Sequence, residues 1–106
     1  MIDTPPHPEY PCAHCAVGAA FATVVASALG AGDLATPLMI TPADAAGRNA
    51  VTRSWKRAAD FVPEVSNARI WGGMHYRNST DIGVSMGNAL GQWVIATQLR
   101  PVASPP

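Results

Sequence analysis

Gly83, Gly87 and Gly91 recur every four residues in a segment that reads as the last helix of the chain, from Ser79 or Thr80 to Leu99. Glycine inside a helix costs up to about 1 kcal/mol against alanine. Three on one stripe therefore imply the close approach of another backbone along a bare helix face. In a membrane the same spacing marks helix dimerisation, but Asp81, Asn88 and Gln92 on this segment argue against lipid. Asp81, in the first turn, also favours the helix dipole.

A second helix is set by an uncharged run, residues 16–29, rich in Ala and Gly rather than Leu and Ile. It is short for a membrane span and reads as a buried core helix. It begins near Cys12–His14 and is ended by Gly30 and Gly32. Pro5, Pro6, Pro8 and Pro11 disfavour helix before it, so residues 1–11 form an extended entry segment. Residues 31–53 mix Pro, Gly, Asp and Asn and read as one long loop, with "LMIT" as a short strand within it. Ser54 is the expected N-cap of "WKRAADFV", and Pro63 either kinks that helix or starts a new one. Helix continues to Trp71, where Gly72-Gly73 breaks it. The expected fold is all-α: three to four helices and one long loop in a single partial domain, 1–106, divided as 1–11, 12–30, 31–53 and 54–99.

Charge narrows the surroundings of such a bundle. Only 13% of residues are charged, about half the usual share, so the helices are expected to bury more than one face against a partner chain or a missing part of the same protein. Basic and acidic residues balance at seven each, which points away from nucleic acid and acidic membrane surfaces. "MIDTPPHPEYP" has neither the basic start nor the apolar run of a signal peptide, and the chain is expected to be soluble.

Two clusters carry candidate chemistry. In "YPCAHC", Cys12 and Cys15 form half of a zinc-site pattern, with His7 and His75 as the available partners but no second ligand pair at the usual spacing. A metal-binding or redox Cys-x-x-Cys module is thus one reading. His14 supports another: Pro11 fixes the chain entry, and the free amides of a helix N-terminus bind tetrahedral anions, beside which an imidazole can donate a proton to a leaving oxygen. The second cluster is "ARIWGGMHYRNSTDIG". There Arg69 offers a planar fork suited to oxyanions, and His75, after a glycine turn, is held as a nucleophile or ligand needs to be.

Together, "YPCAHC" and "ARIWGGMHYRNSTDIG" resemble the last two motifs of the vanadium-dependent haloperoxidase and type-2 phosphatidic acid phosphatase superfamily. That superfamily carries Lys-x6-Arg-Pro, then Pro-Ser-Gly-His, then Ser-Arg-x5-His-x3-Asp. Pro11-Cys12-Ala13-His14 stands at the second motif, and Ala68-Arg69, five residues and His75 keep the spacing of the third. "HPEYP" and "RIWGGMHYR" are closer to the soluble bacterial haloperoxidase-like branch.

The resemblance implies a helical bundle in which the first helix N-terminus and the 69–75 segment converge on an oxyanion. His75 would be the vanadate ligand, or the nucleophile that forms a phosphohistidine. Arg69 would hold oxyanion oxygens, with Cys12 and Ala13 adding side-chain and backbone contacts. His14 would be the acid–base residue, and Ser79 or Asp81 would orient His75. The implied cofactor is vanadate, or a phosphate substrate in the same site. The implied co-substrates are halide and hydrogen peroxide, or a phosphate ester.

This sequence departs from the pattern at several positions. Cys12 replaces serine, Ala13 replaces glycine, and Ser79 stands where aspartate is expected. The lysine–arginine motif is absent, so the chain is expected to be the C-terminal half of such an enzyme, completed by an N-terminal half or partner chain. A remnant whose helices only pack is the bland alternative.

Overall fold

The computed structural model describes residues 5–41, 51–98 and 100. Three helices, α1 (Ala13–Leu29), α2 (Ala58–Trp71) and α3 (Arg77–Thr97), carry the architecture. Two three-residue strands, β1 (Leu38–Ile40) and β2 (Arg53–Trp55), pair antiparallel, with Leu38 opposite Trp55 and Ile40 opposite Arg53. The fold is all-α, and the small ribbon is an addition to it. Leu99, the expected end of the last helix, lies outside the described residues, and α3 ends at Thr97.

The glycine stripe is where α1 lies on α3. A Cβ on Gly87 would come 2.8 Å from the Ala19 Cβ, and one on Gly91 would come 2.7 Å from the Thr23 Cβ. On Gly83 it would run into the Cys12 carbonyl. The backbone that the stripe admits therefore belongs to this chain's own first helix, and the stripe is no sign of a missing partner. Thr23 Oγ1 donates to Asn88 Oδ1 at 3.1 Å across the same seam.

Because the seam is built from small residues, the core is narrow. Its buried apolar members are Cys12, Cys15, Ala19, Ala22, Trp55 and Ala58. Val17, Leu29, Trp71 and Trp93 stay exposed, Trp71 at 79%. Among the described residues, no helix is long and apolar enough to cross a membrane.

Two boundaries differ from those read in the sequence. Ser54 caps no helix: it sits in β2, and α2 starts only at Ala58, after Arg57. Tertiary contacts override the local capping preference here. Trp55 Nε1 donates to Glu64 Oε2 at 2.8 Å, Arg53 Nε donates to Glu64 Oε1 at 2.6 Å, and the Trp55 ring meets Phe61 edge-on. Pro63 starts no new helix and lies inside α2, which runs on to Trp71. The carbonyl its missing amide leaves free belongs to Ala59, which is exposed and open to water. The last helix starts at Arg77 rather than at Ser79 or Thr80.

A side chain on the stripe is expected to cost more than the helix propensity it gains. Gly87→Val should lower unfolding free energy by about 1–3 kcal/mol in urea titrations. Gly32→Ala, which meets nothing within 4 Å, should stay within about 0.5 kcal/mol of the parent.

Candidate functional site

His75 reaches the site because α2 ends in a tight reversal. Met74 N–H donates to the Arg69 carbonyl at 3.0 Å and Gly73 N–H to the Ile70 carbonyl at 2.9 Å. Gly73 supplies the left-handed residue (φ 73°) this paired cap requires. The reversal carries His75 back beside Arg69, both against the entry segment that precedes α1.

That segment orients the imidazole. His75 Nδ1–H donates to the Glu9 carbonyl, and Glu9 Oε1 lies 3.7 Å from the same nitrogen. A carbonyl only accepts, so Nδ1 carries the proton and, in the neutral ring, Nε2 keeps its lone pair. His75 is buried, and its Nε2 has no hydrogen-bond partner among the described residues. Arg69 Nε is likewise buried and unpartnered. Buried polar atoms without partners are rare, and here a buried guanidinium nitrogen and a buried imidazole nitrogen occur in one site.

Glu9 is itself held. Its carboxyl lies below the ordinary carboxylate range, chiefly through the Ser79 hydroxyl and then the Tyr76 amide, which donates to Oε1 at 2.8 Å. Of the two residues expected to orient His75, Ser79 is buried and acts one step removed, through Glu9. Asp81 is exposed on α3 and, among the described residues, makes no bond to His75. Glu9 has no signal in the sequence, because 66 residues separate it from His75.

His14 is exposed on the first turn of α1, with its ring 6.4 Å from that of His7. Desolvation pulls its pKa below the ordinary imidazole value, followed by the charges of Arg69, His7 and His75. Its other side borders an apolar groove of about 550 Å³ that includes Val17, Phe21, Ile40, Phe61 and Val65. His7, weighed in the sequence only as a zinc ligand, stacks on His75 with ring centroids 5.6 Å apart. Arg69, His7, His14 and His75 thus converge from two separate stretches of chain, 7–14 and 69–75.

Cys12 and Cys15 are joined by a disulfide and fully buried. Cys12 caps α1, its Sγ accepting from Cys15 N–H at 3.2 Å, while its own amide donates to the Ser79 carbonyl at 3.1 Å. A bonded sulfur carries no S–H to offer an oxyanion. The first-turn amides that the helix itself leaves open at this end are those of Ala13 and His14. The disulfide also removes the thiolates a zinc site would need, and the described residues hold no His/Cys/Asp/Glu cluster able to bind a metal ion.

This geometry agrees with what sequence and structure comparison find. Residues 1–103 match the family model of the VCPO second helical-bundle domain, and the chain belongs to the vanadium haloperoxidase superfamily. Among solved structures it resembles the first bacterial vanadium-dependent iodoperoxidase, at 28% identity and a TM-score of 0.73, covering 90% of this chain and 22% of that one. It also shares its fold with the apo and holo forms of a bacterial vanadium-dependent chloroperoxidase. Both are 18% identical, with TM-scores of 0.64 and 0.66 over 84% of this chain and 21% and 20% of theirs. No curated protein matches it. The chain spans about a fifth of the length of these solved relatives.

Two outcomes test the site. Without reductant, the intact mass should be lower by about two hydrogens than after reduction, with no thiol open to alkylation. In NMR titration, His14 should have its midpoint below that of an ordinary imidazole. Arg69→Ala should raise that midpoint by removing a nearby positive charge. A depressed imidazole pKa adds stability that is present above the unfolded value and lost as pH falls through the folded one.

Proposed function

We propose that this chain forms the histidine-bearing part of a haloperoxidase-type oxyanion site, in which His75 Nε2 and Arg69 hold vanadate. The observation behind this reading is a pair of buried nitrogens, His75 Nε2 and Arg69 Nε, without hydrogen-bond partners among the described residues. A lone pair and a charged donor in one site suit a tetrahedral oxyanion that accepts a ligand and carries negative oxygens. When bound, vanadate supplies a Lewis-acidic centre that activates peroxide for halide oxidation.

Each of this chain's residues then has a distinct task. The Glu9 carbonyl keeps the proton on His75 Nδ1, so Nε2 stays free to ligate. Arg69 neutralises oxyanion charge, and the Ala13 and His14 amides at the start of α1 add neutral donors, with no contribution from the Cys12 side chain. His14 is the proton carrier. Desolvation first, and then the nearby Arg69 charge, favours its neutral form while the site is empty, and an oxyanion's negative charge would draw a proton back onto it. The same shell suits phosphate monoester hydrolysis with His75 as nucleophile, and substrate assays decide between the two reactions.

The chain carries one lysine, Lys56, and no Lys-x6-Arg-Pro motif. We infer that further cations, and cover for the exposed apolar side chains, come from the remainder of a longer protein or from a partner. Orthovanadate binding followed by ⁵¹V NMR is expected to weaken about 10- to 100-fold in Arg69→Ala, as loss of a hydrogen bond to a charged group predicts, and at least as much in His75→Ala, which removes the ligating nitrogen. Unchanged binding in both variants would overturn the reading. Bromide or iodide oxidation by this chain alone should be far slower than that of a complete haloperoxidase; equal turnover would refute the need for added cations.

A further inference from the structure

His7 lies at the edge of the site, between the Pro8 carbonyl and Arg69. Its Nδ1 lies 3.0 Å from the Pro8 carbonyl, which only accepts, so Nδ1 carries a proton. Its Nε2 lies 3.5 Å from Arg69 Nη2, which only donates, so Nε2 carries a lone pair. Those two neighbours match the Nδ1–H tautomer, the Arg69 contact being a long one on an exposed ring. His75 is held the same way one residue along, by the Glu9 carbonyl. Consecutive carbonyls of the entry segment therefore fix two nearly parallel imidazoles, inclined by 14°, each with Nδ1 as donor and Nε2 as acceptor.

We propose that His7 is a positioning residue whose Nε2 accepts from Arg69, turning the guanidinium toward the oxyanion held at His75. The proposal rests on the oxyanion reading of the site. Among the described residues Arg69 Nε finds no partner, and the Nη2 contact with His7 is a side-chain contact that steers this end of the residue. An arginine held in place before binding loses less side-chain entropy when the oxyanion arrives. The effect acts on affinity through Arg69, and His7 need not touch the oxyanion.

Two substitutions separate the acceptor from the ring. His7→Phe keeps a flat ring for the stack but removes both nitrogens. His7→Gln gives up the ring but keeps an oxygen able to accept from Arg69. Orthovanadate affinity of the full chain, read by ⁵¹V NMR, is expected to fall about tenfold in His7→Phe, as loss of one hydrogen bond to a charged group predicts. It is expected to recover to within a few-fold of the parent in His7→Gln. Parent-like binding by His7→Phe, or an equal loss in both variants, overturns the proposal. A second arm needs no ligand: long-range ¹H–¹⁵N spectra of the free chain should show His7 as the Nδ1–H tautomer, and His7→Phe should shift the Arg69 Nε resonance. An Nε2–H tautomer, or an unmoved Arg69 resonance, refutes the role of His7 whether or not vanadate binds. Failure of the parent chain to bind vanadate while the spectra come out as expected refutes the oxyanion reading and sustains the contact.

Discussion

The close seam between α1 and α3 is the constraint on which the site depends. At Gly83 the helices meet through the Cys12 carbonyl, and the Cys12 amide is bonded to the Ser79 carbonyl one turn earlier on α3. That pair of contacts sets the start of α1 against the start of α3, and the entry segment just before α1 must then run past His75. A methyl group at Gly83 would push the two apart. Helix propensity given up at three glycines is thus what brings the donors of residues 7–14 within reach of Arg69 and His75.

The polar part of the site is built the opposite way, with few contacts within any element and many between them. The Glu9 carbonyl and carboxylate meet His75 and the Tyr76 amide, the Ser79 hydroxyl supports Glu9, and Arg69 reaches His7. Each contact fixes a tautomer or a rotamer, and what is left free is specific: an imidazole nitrogen, a guanidinium nitrogen and two helix amides. A buried disulfide locks the turn on which this rests. Cysteine at position 12 gives up the hydroxyl donor of a serine and gains a covalent clamp on the helix start.

Helices and their breaks were legible because they depend on local chemistry. The uncharged run, Gly72-Gly73 and the glycine stripe each signal through near neighbours, and so do the Arg-x5-His and Cys-Ala-His motifs. Ser54 shows the limit: its capping preference was outweighed by the Glu64 contacts with Arg53 and Trp55, made across the ribbon and α2. Asp81 shows the same limit in the site. Being near His75 in sequence, it looked like an orienting residue, but the task fell to Glu9, which is distant in sequence and adjacent in space.

From the sequence alone came the all-α class, the superfamily and the trio His14, Arg69 and His75, since motif spacing and helix periodicity are properties of the chain itself. Only the tertiary structure decided that the glycine stripe is filled by this chain's own α1, that Cys12 and Cys15 are bonded to each other, and that Glu9 and His7 lie against His75 and Arg69. Those outcomes turn on which long-range surfaces meet, and a contact spanning more than sixty residues leaves no mark in the spacing of either partner.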